Sequence, residues 1–400
     1  MTNSIIKKNL KNTVALVLGG YVNGYSIVKE LYEKNIKNIA LFDVGRSLAR
    51  YSNKISYHVE IDSTSEKLLF ELQKLNQLYD QIVIYPTDDL QLENLLDIYE
   101  EISSFCYLPF NPNNLLQTLD KSLQYSICDK YDIPYPKTVS AKVLSDLDCI
   151  SELQFPLLIK PSTRKDLTED VFRTLYCNDY DDYLAQKKYL SELMSLGIEF
   201  VISEYIPGDD TNIYAYTCFR SNEGDILNFW TGKKLTQYPD NYGIFSSASN
   251  ESPLVVEKQG ADLVNAMDAY GVLEPEFKYD HRDGKYKLME VNLRSMMWHR
   301  TGSVSGVKIQ ETQYLYAIGG QVTSYEQDKS NNIHFVLMLH EIPNLIARKG
   351  YWKHFKYNVF GGGKREWAIF DVNDVKPFIY SLNLLFLMMG SACLRRLGLR

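Results

Sequence analysis

The segment Pro275-Glu-Phe-Lys-Tyr-Asp-His-Arg-Asp-Gly-Lys-Tyr-Lys-Leu-Met-Glu-Val-Asn-Leu-Arg294 is typical of a β-hairpin. Two short runs of alternating side chains flank Asp283-Gly284, a dipeptide that favours tight hairpin turns. On the second run Glu290 and Asn292 are two residues apart, so their side chains point to one face of the strand. If five residues centred on Asp283 connect the runs, Glu276 lies opposite Glu290, with Cβ atoms about 4.5–5.5 Å apart.

Two carboxylates and an amide oxygen would therefore converge on this hairpin. Carboxylates repel each other unless a cation lies between them, and a set of oxygen ligands suits a hard ion such as Mg²⁺, with Mn²⁺ as an alternative. An ordinary solvated hairpin with charged faces is the competing interpretation. However, residues 288–293 interleave their charges with Leu, Met and Val, and Glu290 lies in mid-strand, where burial is expected. We therefore predict a metal site that serves a polyphosphate.

The composition is that of a soluble globular protein. The chain has 400 residues, 45% hydrophobic and 23% charged, which suggests two or three domains. Its net charge of −7 argues against non-specific binding to nucleic acid, which needs a basic surface. The six cysteines form no CxxC pair, which favours reduced thiols over disulfides or a zinc site. We therefore predict a cytoplasmic protein with no nucleic-acid partner.

Residues 1–114 show an alternation of strands and helices. Apolar runs at 13–18, 38–43 and 81–85 are separated by helical patterns, which predicts a Rossmann-like parallel α/β domain. The glycines of Gly19-Gly20-x-x-x-Gly24 depart from the dinucleotide-binding pattern, and Asp43 at a strand end is more typical of a cap than of a ribose ligand. We interpret this domain as a scaffold or an acceptor-substrate surface.

Residues 115–325 are predicted to form a second unit. A helix from about 115 to 131 contains Asp120-Lys121, and an apolar strand at 155–160 ends in Lys160. A lysine at the end of such a strand is costly unless its ammonium meets an anion such as phosphate, although a lysine that reaches solvent is the simpler alternative. A further strand at 199–206 breaks at Pro-Gly into an acidic turn, whose carboxylates could hold ribose hydroxyls.

Residues 326–400 contain no motif that indicates a reaction. From Pro377 the chain is apolar, with Ser and Asn interruptions, and Arg395, Arg396 and Arg400 follow. A packed terminal helix is the first expectation, a helix on a membrane surface the second, and a membrane span the third. The protein could therefore contact the inner face of the cell membrane.

In this order the motifs resemble the ATP-grasp superfamily, in which two lobes clamp ATP, and within it the carboxylate–amine ligases. The resemblance covers roughly residues 115–310. It rests on four matches: Asp120-Lys121, Leu158-Ile-Lys-Pro161, Ser203-Glu-Tyr-Ile-Pro-Gly-Asp-Asp210, and Glu276 with Glu290-x-Asn292-x-Arg294. It implies an α/β protein with a Rossmann-like domain followed by an ATP-grasp fold, and it implies ATP and two Mg²⁺ ions as cofactors.

The resemblance also implies roles for individual residues. Lys121 and Lys160 would contact phosphates, and the segment from Ser203 would bind adenine through backbone groups of Glu204 and Ile206. The other implied roles are an apolar adenine wall (Met289), a ribose ligand (Asp210), ligands of the two Mg²⁺ ions (Glu276, Glu290, Asn292) and stabilisation of the transferring phosphoryl group or acyl phosphate (Arg294).

Two parts of the ATP-grasp pattern stay open in this sequence. A basic residue at the γ-phosphate or acyl phosphate would be Lys233 or Lys234, and the sequence does not choose between them. The polar segment 162–170 could be a mobile lid, but it contains no glycine, so Arg164 or Lys165 could replace backbone amides as phosphate donors.

The predicted reaction joins a small-molecule carboxylate to an amine through an acyl phosphate and releases ADP. We expect Arg300 to pair with an acidic substrate and His299 to act in proton transfer, with a packed polar histidine as the alternative. A cell-envelope or surface-polysaccharide precursor, modified with an amino acid, is the substrate we expect. The alternative functions are a phosphoryl transferase that forms no amide and a non-catalytic ATP-binding protein. The sequence does not predict the oligomeric state.

Overall fold

The apolar run Thr13–Leu18 forms the central strand of a five-stranded parallel sheet. The computed structural model describes residues 12–45, 47–162, 171–239, 243–329 and 332–396. The sheet order is β3-β2-β1-β4-β5, as expected for the Rossmann-like domain. Its strands are β1 (Thr13–Leu18), β2 (Ile39–Asp43), β3 (Tyr57–Glu60), β4 (Gln81–Tyr85) and β5 (Cys106–Tyr107). The helices beside it are α1 (Val22–Glu33), α2 (Ser65–Asn76), α3 (Asp89–Asp97) and α4 (Tyr99–Ile102).

The next segment forms a smaller antiparallel lobe. One continuous helix was predicted at 115–131, but the chain breaks at Asp120, whose carboxylate caps a new helix by accepting from the amides of Ser122 (2.7 Å) and Leu123 (3.2 Å). Lys121 is thereby the first residue of that helix. The helices are α5 (Leu115–Leu119), α6 (Lys121–Lys130) and α7 (Tyr180–Ser195). The sheet order is β6-β9-β7-β8, with strands β6 (Thr138–Ala141), β7 (Leu157–Pro161), β8 (Leu175–Cys177) and β9 (Phe200–Glu204).

A seven-stranded sheet forms the larger lobe. Its order is β14-β13-β10-β11-β12-β15-β16. The strands are β10 (Ile213–Arg220), β11 (Ile226–Tyr238), β12 (Ile244–Ser249), β13 (Gly271–Asp280), β14 (Lys285–Asn292), β15 (Ile333–Val336) and β16 (Lys364–Trp367). The helices of this part are α8 (Leu254–Ala266), α9 (Arg300–Val304), α10 (Ile309–Ala317), α11 (Met338–Ala347) and α12 (Trp352–Phe360). The last helix of the chain is α13 (Val375–Arg396).

Part of the predicted C-terminal region 326–400 belongs to this sheet, because β15 pairs with β12 and β16 pairs with β15. The carboxylate of Glu341 on α11 is fully buried and joins the sheet to the helices that follow. It accepts hydrogen bonds from Thr236, Ser246, Ser247, Tyr351 and Asn358. A charge so thoroughly hydrogen-bonded is tolerated inside a protein. The C-terminal helices are therefore anchored in the main core.

We expect the C-terminal region to lose stability in acid because of His340. Its Nδ1 lies 2.6 Å from the carbonyl oxygen of Phe245, and burial lowers its pKa from 6.5 to about 4. Its contribution is complete above pH 6.5 and falls toward pH 4, at about 1.4 kcal/mol per pH unit. A His340→Gln variant should therefore lose less melting temperature between pH 6.5 and 4 than the wild type. The exposed His281→Gln is the control, and an equal slope in both variants would contradict this assignment.

Candidate active site

A cavity of about 350 Å³ is lined by residues of the four-stranded and the seven-stranded sheet. The smaller sheet contributes residues of β7 and β9, and the larger sheet contributes residues of β10 to β14. Eleven residues singled out in the sequence line this cavity: Lys121, Lys160, Ser203, Glu204, Ile206, Asp210, Lys234, Glu276, Met289, Glu290 and Asn292. The structure therefore brings together four motifs that are far apart in the chain.

The hairpin places Glu276 opposite Glu290, as predicted, but by a different route. Asp280 pairs with Lys285, so the turn has four residues and not five. With that turn alone, Glu276 would face Met289. The register shifts between Glu276 and Phe277, and this β-bulge adds the residue that brings Glu290 opposite Glu276.

The edge of this hairpin is held by α6. The side chain of Gln124 accepts from the amide of Val291 (3.0 Å) and donates to its carbonyl oxygen (3.3 Å). Val291 lies between Glu290 and Asn292, so this clamp fixes the strand where the predicted metal ligands lie. Gln124 is one helical turn from Lys121, and the same helix therefore positions the lysine and the acidic strand.

The carboxylate of Glu276 is buried in a charged environment. It is 2% exposed, and its Oε2 lies 3.1 Å from Nζ of Lys234. Burial raises the pKa of Glu276 to about 7, Lys234 opposes the rise, and Glu274 and Glu290 add to it. Burial lowers the pKa of Lys234, but the attraction of Glu276 outweighs it, so the net shift is upward and the ammonium stays charged. The acidic cluster thus holds more negative charge than one lysine neutralises.

The donor set fits a hard divalent cation. Two opposed carboxylates and the amide oxygen of Asn292 are the kind of ligands that Mg²⁺ takes. Burial and then repulsion by Glu274 and Glu290 raise the pKa of Glu276, and a nearby cation would oppose both effects. Among the described residues, no group of three His, Cys, Asp or Glu side chains is arranged to hold a metal. The third protein ligand would therefore be the amide Asn292, which is 6% exposed at the end of β14.

Sequence reasoning missed Lys278 at the other end of the cavity. This lysine is 6% exposed, and its Nζ lies 4.6 Å from the ring centre of Tyr205. Burial lowers its pKa to about 8, against the attraction of Asp210 and Asp209. The sequence did contain a signal for Lys278, because a residue two positions after Glu276 lies on the same face of β13.

Asp210 lines the cavity and is partly engaged by the protein. Its Oδ2 accepts from the amide of Gln237 (2.9 Å) and lies 3.4 Å from the guanidinium of Arg348. Its Oδ1 accepts from the side-chain amide of Gln237 (3.1 Å). A carboxylate oxygen can accept two hydrogen bonds, so Oδ1 retains capacity for a hydroxyl group of a ligand.

The two adjacent lysines of β11 have different environments. Lys234 lines the cavity, whereas Lys233 forms an ion pair with Glu251 (3.0 Å) and lies over the ring of Tyr214. Successive residues of a strand point to opposite faces, so only one of them can face the cavity. Of the two lysines, Lys234 lines the cavity and Lys233 does not, which favours Lys234 as the basic residue at the phosphate.

His299 lies behind the cavity wall. Its Nε2 forms a hydrogen bond with the fully buried carboxylate of Glu274. The same carboxylate accepts hydrogen bonds from Trp298 Nε1 (3.1 Å) and Thr217 Oγ1 (2.7 Å). His299 and these hydrogen bonds outweigh burial and lower the pKa of Glu274. Trp298 lines the cavity, whereas His299 does not. His299 and Trp298 thus share the carboxylate of Glu274, an arrangement that agrees with the alternative of a packed polar histidine.

Arg294 and Arg300 do not line the cavity, and Arg164 lies outside the described residues. Arg300 binds Glu33 through two hydrogen bonds (2.6 and 2.8 Å) and Glu366 through a third (3.2 Å). The guanidinium of Arg300 is therefore paired with two carboxylates in another part of the fold, an arrangement that does not support the expected contact with an acidic substrate. Arg294 binds Asp89 (2.5 and 3.2 Å), and Asp89 itself lines the cavity. Arg294 thus adjoins the site through one carboxylate.

Known proteins share this fold. No protein-family model matches the chain. D-aspartate ligase of Enterococcus faecium (strain Aus0004) is 24% identical over 319 residues, which are 74% of this chain and 73% of the relative. N5-carboxyaminoimidazole ribonucleotide synthetase, solved as an ADP complex, superposes with a TM-score of 0.61 at 15% identity over 84% of both chains. L-amino acid ligase from Bacillus licheniformis superposes with a TM-score of 0.54 at 15% identity, over 78% of this chain and 75% of that chain.

Proposed function

We infer, from the ATP-grasp fold that this chain has, that the protein is an ADP-forming ligase that joins a carboxylate to an amine. One observation carries the proposal: Glu276, Glu290 and Asn292 share a single cavity with Lys121, Lys160 and Lys234. The three lysine ammonium groups suit the negative charge of a polyphosphate, and the acidic cluster suits a divalent metal ion that is bound together with it. The names of the similar proteins, two of which are ligases, support the same reaction class.

Each group of these residues would bind a different part of ATP or the metal. Backbone groups of Glu204 and Ile206 would bind adenine against Met289, with Ser203 in the same segment, and Oδ1 of Asp210 would accept from a ribose hydroxyl. Lys121 and Lys160 would hold the phosphates. Mg²⁺ bound by Glu276, Glu290 and Asn292 would neutralise phosphate charge as phosphoryl transfer proceeds. Lys234 would face the γ-phosphate, and Arg294 would act through Asp89, the cavity-lining carboxylate that it holds.

Such a reaction needs no nucleophilic side chain. A carboxylate acylates poorly because oxide is its leaving group, whereas an acyl phosphate can be attacked by an amine and loses phosphate. The residues of the cavity act by position and charge, which is the main contribution of proteins to phosphoryl transfer. The Ser/His and Cys/His pairs of covalent hydrolases are not required.

We propose a narrower substrate class on the basis of the relative from Enterococcus faecium, which is named for D-aspartate. An amino acid would be the amine, and a cell-envelope or surface-polysaccharide precursor would carry the carboxylate. Both substrates are small molecules that the protein would meet in the cytoplasm.

ADP release tests this proposal. The purified protein is supplied with ATP, Mg²⁺ and a panel of carboxylates, with and without amino acids, and products are identified by mass spectrometry. We expect ADP release that depends on both substrates and a product with the mass of the amide. ADP release without amine, together with a stable phosphorylated product, would indicate a phosphoryl transferase. Nucleotide binding without turnover across the panel would indicate a non-catalytic protein.

A further inference from the structure

Helix α13 is apolar on two opposite faces. Its inner face, which includes Phe378, Ser381 and Leu385, packs toward α11 and the core. Its outer face exposes a stripe with helical spacing, in which Ile379 is 58% exposed and Phe386 is 72% exposed. Among the described residues this helix is the one long and apolar enough to cross a membrane by length and composition. A surface helix normally turns polar side chains outward, so the outer stripe indicates a missing apolar partner.

The charges around this helix are segregated. Residues 338–396 contain four acidic side chains, and none of them is exposed. Glu341 is saturated by hydroxyl and amide donors, Glu366 binds Arg300, and Asp371 and Asp374 both lie close to Lys54.

Basic side chains occupy the surface of the same region. Lys353 and Lys356 on α12 are exposed, and so are Lys376, Arg395 and Arg396 on α13. The region is therefore outwardly basic, although the whole chain has a net charge of −7. An anionic partner would be attracted to this part of the molecule.

A second cavity lies under the helix. Its volume is about 320 Å³, and its lining includes Val336, Leu339, Trp367, Phe370 and Leu385. Phe370 and Leu382, which also lines it, are both exposed, so the cavity opens to the surface beside the outer stripe. A cavity with such an apolar lining favours apolar ligands over water.

We propose that α13 lies on an anionic phospholipid bilayer, with its outer stripe among the lipids, and that the cavity beneath it takes one lipid acyl chain. The basic side chains would contact the headgroups. The helix would lie in the membrane surface because its inner face is held by the core and its C-terminal end by a hydrogen bond from Arg396 to the carbonyl oxygen of Ile346 (3.0 Å). A second copy of the chain is a poorer partner, since a two-fold contact would bring two basic surfaces together. The proposal does not depend on the ligase reaction.

Vesicle co-sedimentation tests the surface contact. The full chain should pellet with phosphatidylcholine vesicles that contain phosphatidylglycerol, less with phosphatidylcholine alone, and less as salt rises. The double variant Phe386→Asp, Leu387→Asp should bind at least about tenfold more weakly, because it removes apolar side chains and adds charge at the bilayer surface. Leu196→Asp, at a residue 78% exposed beyond α7, is the matched control and should bind like the wild type.

A fluorescent polyene fatty acid tests the cavity. We expect saturable binding by the wild type, displacement by phosphatidylglycerol, and loss of at least about tenfold in affinity in Ser381→Trp, which fills the cavity. Ser381→Ala is the control, and melting temperature verifies that each variant is folded. Equal vesicle binding by the Asp double variant would overturn the surface contact, as would a dimer that the same substitutions dissociate. Fatty-acid binding that Ser381→Trp leaves unchanged would overturn the cavity assignment.

Discussion

Replacement of Glu290 by Gln should lower the rate of ADP release by at least about 100-fold, since the variant keeps the shape of the site and removes one anionic metal ligand. Glu290 lies opposite Glu276 and two residues before Asn292, on a strand clamped by Gln124. Glutamine preserves that packing. The loss should therefore appear in turnover and in the Mg²⁺ concentration required for half-maximal rate.

The same substitution should leave the folded protein as stable as the wild type or more stable. Glu290 is one of the neighbours that raise the pKa of Glu276, so its neutralisation relieves repulsion on the buried carboxylate of Glu276. A fall in activity without a fall in melting temperature would separate a metal ligand from a structural residue. Glu251→Gln, which removes the same charge outside the cavity, is the control. Unchanged turnover in Glu290→Gln would refute the assignment of the metal site.

The hairpin shows why sequence reasoning succeeded for the acidic cluster. Strand periodicity placed Glu290 and Asn292 on one face without tertiary information. The pairing with Glu276 was right although the predicted turn was one residue too long, because a β-bulge supplies the missing residue. A bulge has no clear sequence signal here, so the correct pairing from the wrong turn was fortuitous.

The features that the sequence did not predict share a different cause. Arg300 is bound by Glu33 and Glu366, which lie 267 and 66 residues away in the chain, and no local pattern reports such partners. Strands β15 and β16 have four residues each and join the sheet by pairings that only the folded chain defines. The helix predicted at 115–131 is broken at Asp120, and the sequence signal for this break was one residue that can cap a helix, Asp120 itself.

The two lysines of β11 allow a stringent test of the phosphate site. Replacement of Lys234 by Met should reduce ADP release by about 100- to 1,000-fold, the usual cost of removing one charged donor from a transition state. Replacement of Lys233 by Met should change it by less than about threefold, because an exposed ion pair contributes little and Lys233 lies outside the cavity. The two variants differ by one position and remove the same charge. Equal losses would therefore contradict the assignment.

Stability should distinguish the same two variants. Lys234→Met leaves the buried carboxylate of Glu276 without its ammonium partner, and breaking a buried pair costs about 3–5 kcal/mol unless the carboxylate takes up a proton. Lys233→Met breaks an ion pair in which Glu251 is half exposed, and such a pair contributes about 0.2–1 kcal/mol to stability.

Mg²⁺ should restore part of the melting temperature of Lys234→Met, because a cation held by Glu276, Glu290 and Asn292 replaces the missing positive charge. The activity of this variant should nevertheless stay low. If Mg²⁺ has no effect on the melting temperature of that variant, the acidic cluster does not bind the metal. If Mg²⁺ restores activity as well, the role of Lys234 is to neutralise the acidic cluster and not to bind the phosphate.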